Sequence, residues 1–119
     1  MKYSVPKLML HAEGFVVLCA AVLLYRETGA SWGKFVVLFL APDLLAIGYV
    51  FGRKVGAHTY NLGHTYTAPF LLWLICLFGH QPVLLPLCLI WIAHIGFDRL
   101  LGYGLKYDTA FKATHLNRV

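Results

Sequence analysis

Charged side chains are scarce in this sequence, at 13 % of its 119 residues against about 25 % in an average soluble domain. Apolar residues take their place and reach 60 %. A chain of this length forms one compact domain, whose surface is too large relative to its volume to hide so many apolar side chains from water. The composition therefore excludes an ordinary soluble domain and predicts an integral membrane protein.

Cysteine occurs at only three positions. Cys19, Cys76 and Cys88 each lie within an apolar run, at spacings that match neither a zinc site nor a disulfide framework. We interpret all three as packing residues. The sequence also lacks a continuous run of basic residues of the kind that binds nucleic acid. Its net charge of +5 comes from Lys and Arg that lie between apolar runs. That placement is typical of membrane topology, so we expect no nucleic-acid partner.

Four apolar runs predict four transmembrane helices, at residues 8–25, 33–51, 58–78 and 82–97. A helix needs about 20 residues to cross the hydrocarbon core, and open strands would leave backbone groups unpaired in lipid. Pro42, Pro69 and Pro86 are expected to kink the last three helices. The predicted fold is a single all-α domain over residues 1–119, a four-helix transmembrane bundle.

The positions of Lys and Arg predict how this bundle is oriented. Both termini and the second loop should be cytoplasmic, because basic residues concentrate on that side of a membrane. Eight of the ten basic residues support this orientation: Lys2, Lys7, Arg53, Lys54, Arg99, Lys106, Lys112 and Arg118. Residues 99–119 are too basic and too interrupted by Gly102 and Gly104 to cross, so we predict a short cytoplasmic or interfacial segment there.

Ionisable residues inside the predicted spans gather at one depth. At about 1.5 Å per residue, Glu13, His64 and His94 lie roughly 5–10 Å from the cytoplasmic ends of their helices. Asp43 lies roughly 12–14 Å in by the same arithmetic, and Asp98 is at the edge. An ionisable group in a membrane is costly and is a functional hypothesis by default. We therefore predict a polar site in the cytoplasmic half of the bundle.

Helical spacing indicates a metal site within this layer. His58, Asn61 and His64 follow one another at steps of three, and His94 and Asp98 are four apart, so each set shares a helix face. Bundle metal sites use this geometry, and carboxylates with imidazoles suit iron, manganese or zinc. We predict a divalent metal held by His58, His64, His94 and Asp98. A purely structural hydrogen-bonded pair of His94 and Asp98 is the alternative.

Further residues are assigned to chemistry and to substrate. A carboxylate raised in basicity by apolar surroundings can act as a general base. Basic and aromatic residues at the cytoplasmic rim can bind a lipid headgroup or simply fix the topology. The catalytic candidates are Glu13, Asp43, Asn61 and Arg99. The substrate-binding candidates are Tyr60, Tyr103, Lys106 and His115, the last as a residue that folds back over the site.

Motifs along nearly the whole chain resemble one known family. The matching positions are Glu13–Gly14, Trp32, Pro42–Asp43, Gly48–Tyr49, Gly56, Tyr60–Asn61, His64–Thr65, Trp91, Ala93–His94, Gly96–Arg99, Gly102–Tyr107, Phe111 and Thr114–Leu116. They are similar to a family of small bacterial membrane proteins described as domain of unknown function family 4260. The resemblance implies a small multi-pass protein of the bacterial inner membrane, and it implies no activity.

The sequence leaves three functions open. The first is a metal-dependent membrane enzyme, hydrolytic or oxidative, that acts on a membrane lipid or another hydrophobic small molecule. The second is a small proton-coupled transporter that uses Glu13 and Asp43 as proton carriers. The third is a non-catalytic sensor of a metal or ligand. A homodimer is expected, because four short helices make a thin wall for a site.

Overall fold

A computed structural model describes residues 4–80, 82–105 and 116 of the chain. All elements of this part are helical: α1 (Val5–Glu27), α2 (Trp32–Leu38), a 3₁₀ helix (Ala41–Phe51), α3 (Arg53–His64), α4 (Thr67–Phe78), a 3₁₀ turn (Pro82–Leu84) and α5 (Leu85–Leu101). The predicted all-α class is therefore confirmed for the described residues.

Three segments are long and apolar enough to cross a membrane: Val5–Glu27, Trp32–Phe51 and Pro82–Leu101. They coincide with the first, second and fourth predicted spans. The third predicted span differs, because residues 58–78 do not form one helix. The amphipathic α3 and the apolar α4 divide that stretch between them, and α4 with its 12 residues is too short to count as a full span.

Two prolines explain where the helices break. A proline ring collides with the carbonyl group four residues earlier and cannot donate a hydrogen bond to it. For Pro42 that residue is Leu38, where α2 ends. For Pro69 it is Thr65, whose extended backbone (φ −101°, ψ 143°) separates α3 from α4. The expected kink at Pro86 is wrong, because that proline lies in the first turn of α5, where no such carbonyl is needed.

The α1–α5 pair forms the closely packed centre of the fold, and two glycines allow it. A Cβ atom at Gly14 of α1 would lie 2.7 Å from the Gly96 carbonyl oxygen, and one at Gly96 would lie 2.9 Å from the Gly14 carbonyl oxygen. Both contacts are with backbone, which cannot move aside as a flexible side chain can. The two helices therefore approach to a distance that only glycine permits, as in small-residue packing within membranes.

Aromatic side chains connect α2 to this centre. Tyr25 is fully buried at the end of α1, and its hydroxyl donates to the Ser31 carbonyl at 2.5 Å. Phe35 packs edge-on against Tyr25 and is stacked on Phe39. Phe39 in turn lies edge-on to His94, with ring centroids 5.4 Å apart. This row of rings positions the start of the 3₁₀ helix beside the middle of α5.

Candidate metal centre

Four side chains from three elements converge at the centre of the fold. Asp43 comes from the 3₁₀ helix, His64 is the last residue of α3, and His94 and Asp98 lie one turn apart on α5. One ligand atom from each of the four lies within 4.8 Å of all the others. The polar convergence predicted for Asp43, His64, His94 and Asp98 is therefore present in the tertiary structure.

The spacing of these atoms matches a single ion. Ligands at about 2.0–2.2 Å from a tetrahedral metal are about 3.3–3.6 Å from one another. His94 Nε2 lies 3.1 Å from His64 Nε2, 3.2 Å from Asp98 Oδ2 and 3.3 Å from Asp43 Oδ1. His64 Nε2 lies 2.9 Å from Asp43 Oδ1 and 3.5 Å from Asp98 Oδ2. All five distances are near the value expected around one metal ion.

The protonation of His64 leaves a gap in the hydrogen bonding. Its Nδ1 is 2.7 Å from the Tyr60 carbonyl oxygen, which can only accept, so Nδ1 carries the proton. In a neutral ring Nε2 is then a bare lone pair directed at Asp43 Oδ1, which is also an acceptor. Two acceptors 2.9 Å apart repel unless a proton or a metal cation lies between them. A carbonyl-bound imidazole of this kind is also a usual outer-shell arrangement for metal ligands.

The buried carboxylate of Asp98 also requires a proton or a metal cation beside it. His64 and His94 are each 1 % exposed and Asp98 is 7 % exposed. The Oδ2 atom of Asp98 has no hydrogen-bond partner among the described residues, although two imidazole nitrogens are close. A buried carboxylate oxygen without a partner is strongly destabilising. Coordination to a cation would satisfy it. Asp43 differs from the other three, because its side chain is 47 % exposed and forms the open edge of the group.

Arg99 and Tyr60 hold His64 in place. The buried Arg99 guanidinium donates from Nη2 to the His64 carbonyl at 2.8 Å and from Nη1 to the Tyr103 carbonyl at 3.0 Å. The Tyr60 ring is stacked on the His64 imidazole, with centroids 3.7 Å apart. Arg99, predicted as catalytic, and Tyr60, predicted to bind substrate, thus both touch a ligand residue. Their contacts indicate positioning of that ligand.

Two residues to which the sequence reasoning assigned no role in the site, Trp91 and Gly63, support the backbone next to His64. Trp91 Nε1 donates to the Gly63 carbonyl at 2.6 Å, which connects α5 to the residue before His64. A Cβ at Gly63 would lie 2.5 Å from a methyl carbon of Leu45. Trp91 shares the α5 stripe of His94 and Asp98, so its position was readable from the sequence. The close approach at Gly63 has no signal in the sequence beyond the glycine itself.

Glu13 does not join the cluster, and the prediction that it does is wrong. Gly14 faces α5, and a residue adjacent to it on a helix points about 100° away. Glu13 is accordingly exposed on the outer side of α1, beside Met9 and Val16. Glu13 was predicted at the same membrane depth as His64 and His94, but equal depth did not place it in the same site.

His58 is also wrongly predicted, as a metal ligand. Each step of three residues turns a helix by about 300°, so two steps carry His58 roughly 120° away from His64. His58 is exposed, whereas His64 is buried. Asn61, one step away, is half-buried, and its predicted catalytic role stays a prediction.

The predicted substrate residues at the rim have different outcomes. Tyr103 is 57 % exposed just beyond α5, and its backbone rather than its ring contacts the site through Arg99. Lys106 and His115 lie outside the described residues. Their proposed roles stay predictions.

Matched amide substitutions test Asp98, a carboxylate of the cluster, against Glu13, a carboxylate outside it. We expect Asp98→Asn to weaken metal binding at least tenfold, because it removes a buried anionic ligand. Glu13→Gln makes the same chemical change on the exposed face of α1 and should leave binding unchanged. Competition against a fluorescent chelator measures both. Equal loss in the two variants would contradict the placement of Glu13 outside the site.

Comparison with known proteins gives one match. A protein-family model described as Domain of unknown function (DUF4260) matches residues 7–119, a range that contains all four clustered residues. No curated protein and no solved structure matches the chain.

Proposed function

This chain belongs to the DUF4260 family, and we propose that it is a metal-dependent, membrane-embedded enzyme that acts on a lipid-like substrate. The observation that carries the proposal is the convergence of two imidazoles and two carboxylates within 4.8 Å, inside a chain made of apolar helices. The cost of burying such groups in lipid is compensated by a bound cation.

Three of the four side chains form the buried part of the proposed metal site. His64, His94 and Asp98 supply two nitrogens and one carboxylate, the donor set of catalytic zinc sites and of non-haem iron sites with open positions. Iron, zinc and manganese all fit these donors, and sulfur-seeking copper(I) does not. The single point of convergence favours one ion per chain over a carboxylate-bridged pair.

Asp43, the exposed member of the four, is suited to a second task besides metal binding. Its half-exposed carboxylate lies at the open edge, where a substrate or water can approach. When bound, the metal supplies Lewis acidity and lowers the pKa of coordinated water. Asp43, whose Oδ1 is 3.3 Å from His94 Nε2, would be placed to accept a proton at this edge. Arg99 and Tyr60 would keep the His64 ring oriented.

A four-crossing topology with both termini cytoplasmic accompanies this proposal. At 1.5 Å per residue, α3 and α4 with 12 residues each rise about 18 Å apiece, so together they cover the roughly 30 Å core despite the break at Thr65. His64 ends α3, about 17 Å from the start of that helix, whereas His94 lies about 10 Å from the cytoplasmic end of α5 by the same arithmetic. The site therefore belongs to the cytoplasmic half of the bundle in this topology. We place the protein in the bacterial inner membrane, and its dimerisation stays a prediction.

Isotope labelling tests the proposal and separates its two chemical forms. The protein would be reconstituted with bacterial lipids and metal, and products analysed by mass spectrometry against the His64→Ala variant. Hydrolysis adds water across an ester or amide, so the new acid carries ¹⁸O from labelled water. Oxidation takes ¹⁸O from labelled dioxygen and needs an added electron donor. If no product carries ¹⁸O from water or from dioxygen, and proton flux in liposomes survives His64→Ala, the transporter is favoured. Stoichiometric metal without labelled product and without proton flux would favour the sensor.

A further inference from the structure

An open apolar groove with a volume of about 260 Å³ lies between the 3₁₀ helix and α5. Its walls include Leu38, Ala41, Pro42 and Leu45 on one side and Leu87 and Trp91 on the other. These positions fall in the middle of two candidate membrane spans, Trp32–Phe51 and Pro82–Leu101. The groove therefore faces the hydrocarbon region of the bilayer.

On each side of the groove, the chain leads from a wall residue to a residue of the proposed metal centre. Pro42 precedes Asp43 in the chain, and Trp91 lies one helical turn before His94 on α5. The indole of Trp91 also donates to the Gly63 carbonyl, and Gly63 precedes His64. A molecule lying in the groove would thus have one end near residues that neighbour the clustered side chains, on the side of the half-exposed Asp43.

Close contacts of Gly63 with Leu45 and Pro42 hold the groove in shape. A Cβ at Gly63 would lie 2.5 Å from Leu45 Cδ1 and 3.1 Å from the Pro42 carbonyl oxygen, so α3 packs directly against the groove wall. The hydrogen bond from Trp91 fixes the opposite wall to the same residue. A preformed groove loses little free energy to ordering when it binds a ligand.

Size and polarity identify the occupant. About 260 Å³ is slightly below the roughly 300–1,000 Å³ of typical ligand pockets, which favours one hydrocarbon chain over two. Its walls are apolar, and the one polar hydrogen of Trp91 is already used. We propose that the groove holds the chain of a single-chain lipid and directs a terminal oxygen group, such as a carboxylate, to the metal. This inference rests on the proposed enzymatic function.

Fluorescence quenching tests the groove without requiring turnover. Trp32→Phe and Trp73→Phe would leave Trp91 as the only tryptophan, a reporter in the groove wall. In detergent, we expect 9,10-dibromostearic acid to quench Trp91 saturably, and unbrominated stearic acid to reverse it. A dibrominated two-chain phosphatidylcholine should give only weak, non-saturating quenching. Ala41→Phe, which fills the groove, should raise the half-maximal fatty-acid concentration at least tenfold. Ala12→Phe, on the exposed face of α1, is the control.

Linear quenching that is equal in both phenylalanine variants would overturn the proposal, because the groove would then be ordinary lipid-facing surface. Saturation by the two-chain lipid with the same affinity would also overturn it. In case Ala41→Phe does not fold, photolabelling of the unmodified chain by a diazirine stearic acid should mark residues 38–45 or 87–91, and marking elsewhere contradicts the groove. Metal content of the same samples reports on the proposed function separately. Metal without saturable chain binding refutes only the groove, and chain binding without metal refutes only the metalloenzyme.

Discussion

Replacing His94 with alanine should reduce bound metal from about one equivalent per chain to less than a tenth of that. His94 Nε2 is 3.1–3.3 Å from the other three ligand atoms, so its loss opens the centre of the group. It also leaves the buried Asp98 without its closest counterpart. His64→Ala should have the same effect. The protein would be purified without a histidine tag and its metal measured by inductively coupled plasma mass spectrometry.

His58→Ala provides the matched control, because it removes the same side chain from α3 at an exposed position outside the group. This variant should keep a full equivalent. Two equivalents in the wild type would contradict a single ion at one point of convergence. No metal in the wild type after reconstitution with iron, zinc and manganese would refute the metalloenzyme. The buried pairs of His64 and His94 with Asp98 would then be a protonated network, testable as proton carriers in liposomes.

Gly96→Leu should destabilise the fold by about 3 kcal/mol, at the upper end of overpacking effects. Even the first added carbon would lie 2.8 Å from the Leu18 amide nitrogen and 2.9 Å from the Gly14 carbonyl oxygen. Because both obstacles are backbone, α1 must move away from α5. The melting temperature in detergent should fall by on the order of 10 °C. Metal retention should fall with it, because Gly96 lies between His94 and Asp98.

Gly33→Leu is the comparison for this effect. Beyond its own turn of helix, a Cβ at Gly33 would have no atom of the described residues within 4 Å, so the larger side chain extends into open space from α2. Its melting temperature should stay within a few degrees of the wild type. A similar loss in both variants would mean that the change in helix propensity, rather than the α1–α5 contact, controls stability. An unchanged Gly96→Leu would contradict the close packing of the two helices.

Proline positions predicted some of the helix breaks and not others. The prolines at 42 and 69 predicted interruptions, and the structure has them at Leu38 and Thr65, four residues earlier in each case. The same rule failed for Pro86 because its effect depends on where the helix begins. The third span was predicted as one helix because hydropathy averages over the break. Only the actual backbone separates the amphipathic α3 from the apolar α4.

Only part of the site was predicted from the sequence. Asp43, His64, His94 and Asp98 stood out because an ionisable group is costly in lipid wherever the chain folds around it. That cost is a property of the residue and its apolar neighbours, so the sequence determined it. Glu13 and His58 are also ionisable residues within predicted spans, and both are exposed in the structure. Depth along a helix can be counted from the sequence, whereas rotation about its axis depends on what it packs against.

The sequence by itself determined that this chain is helical, apolar enough for a membrane and equipped with a small set of acids and imidazoles within its apolar runs. Tertiary structure alone decided which of them meet. The contact of Gly14 with Gly96 turned α1 so that Glu13 faces outward, and the Gly63 contact with Leu45 brought His64 beside Asp43. These are close approaches between segments distant in sequence. Their geometry follows from the shape of two surfaces together, which neither segment encodes alone.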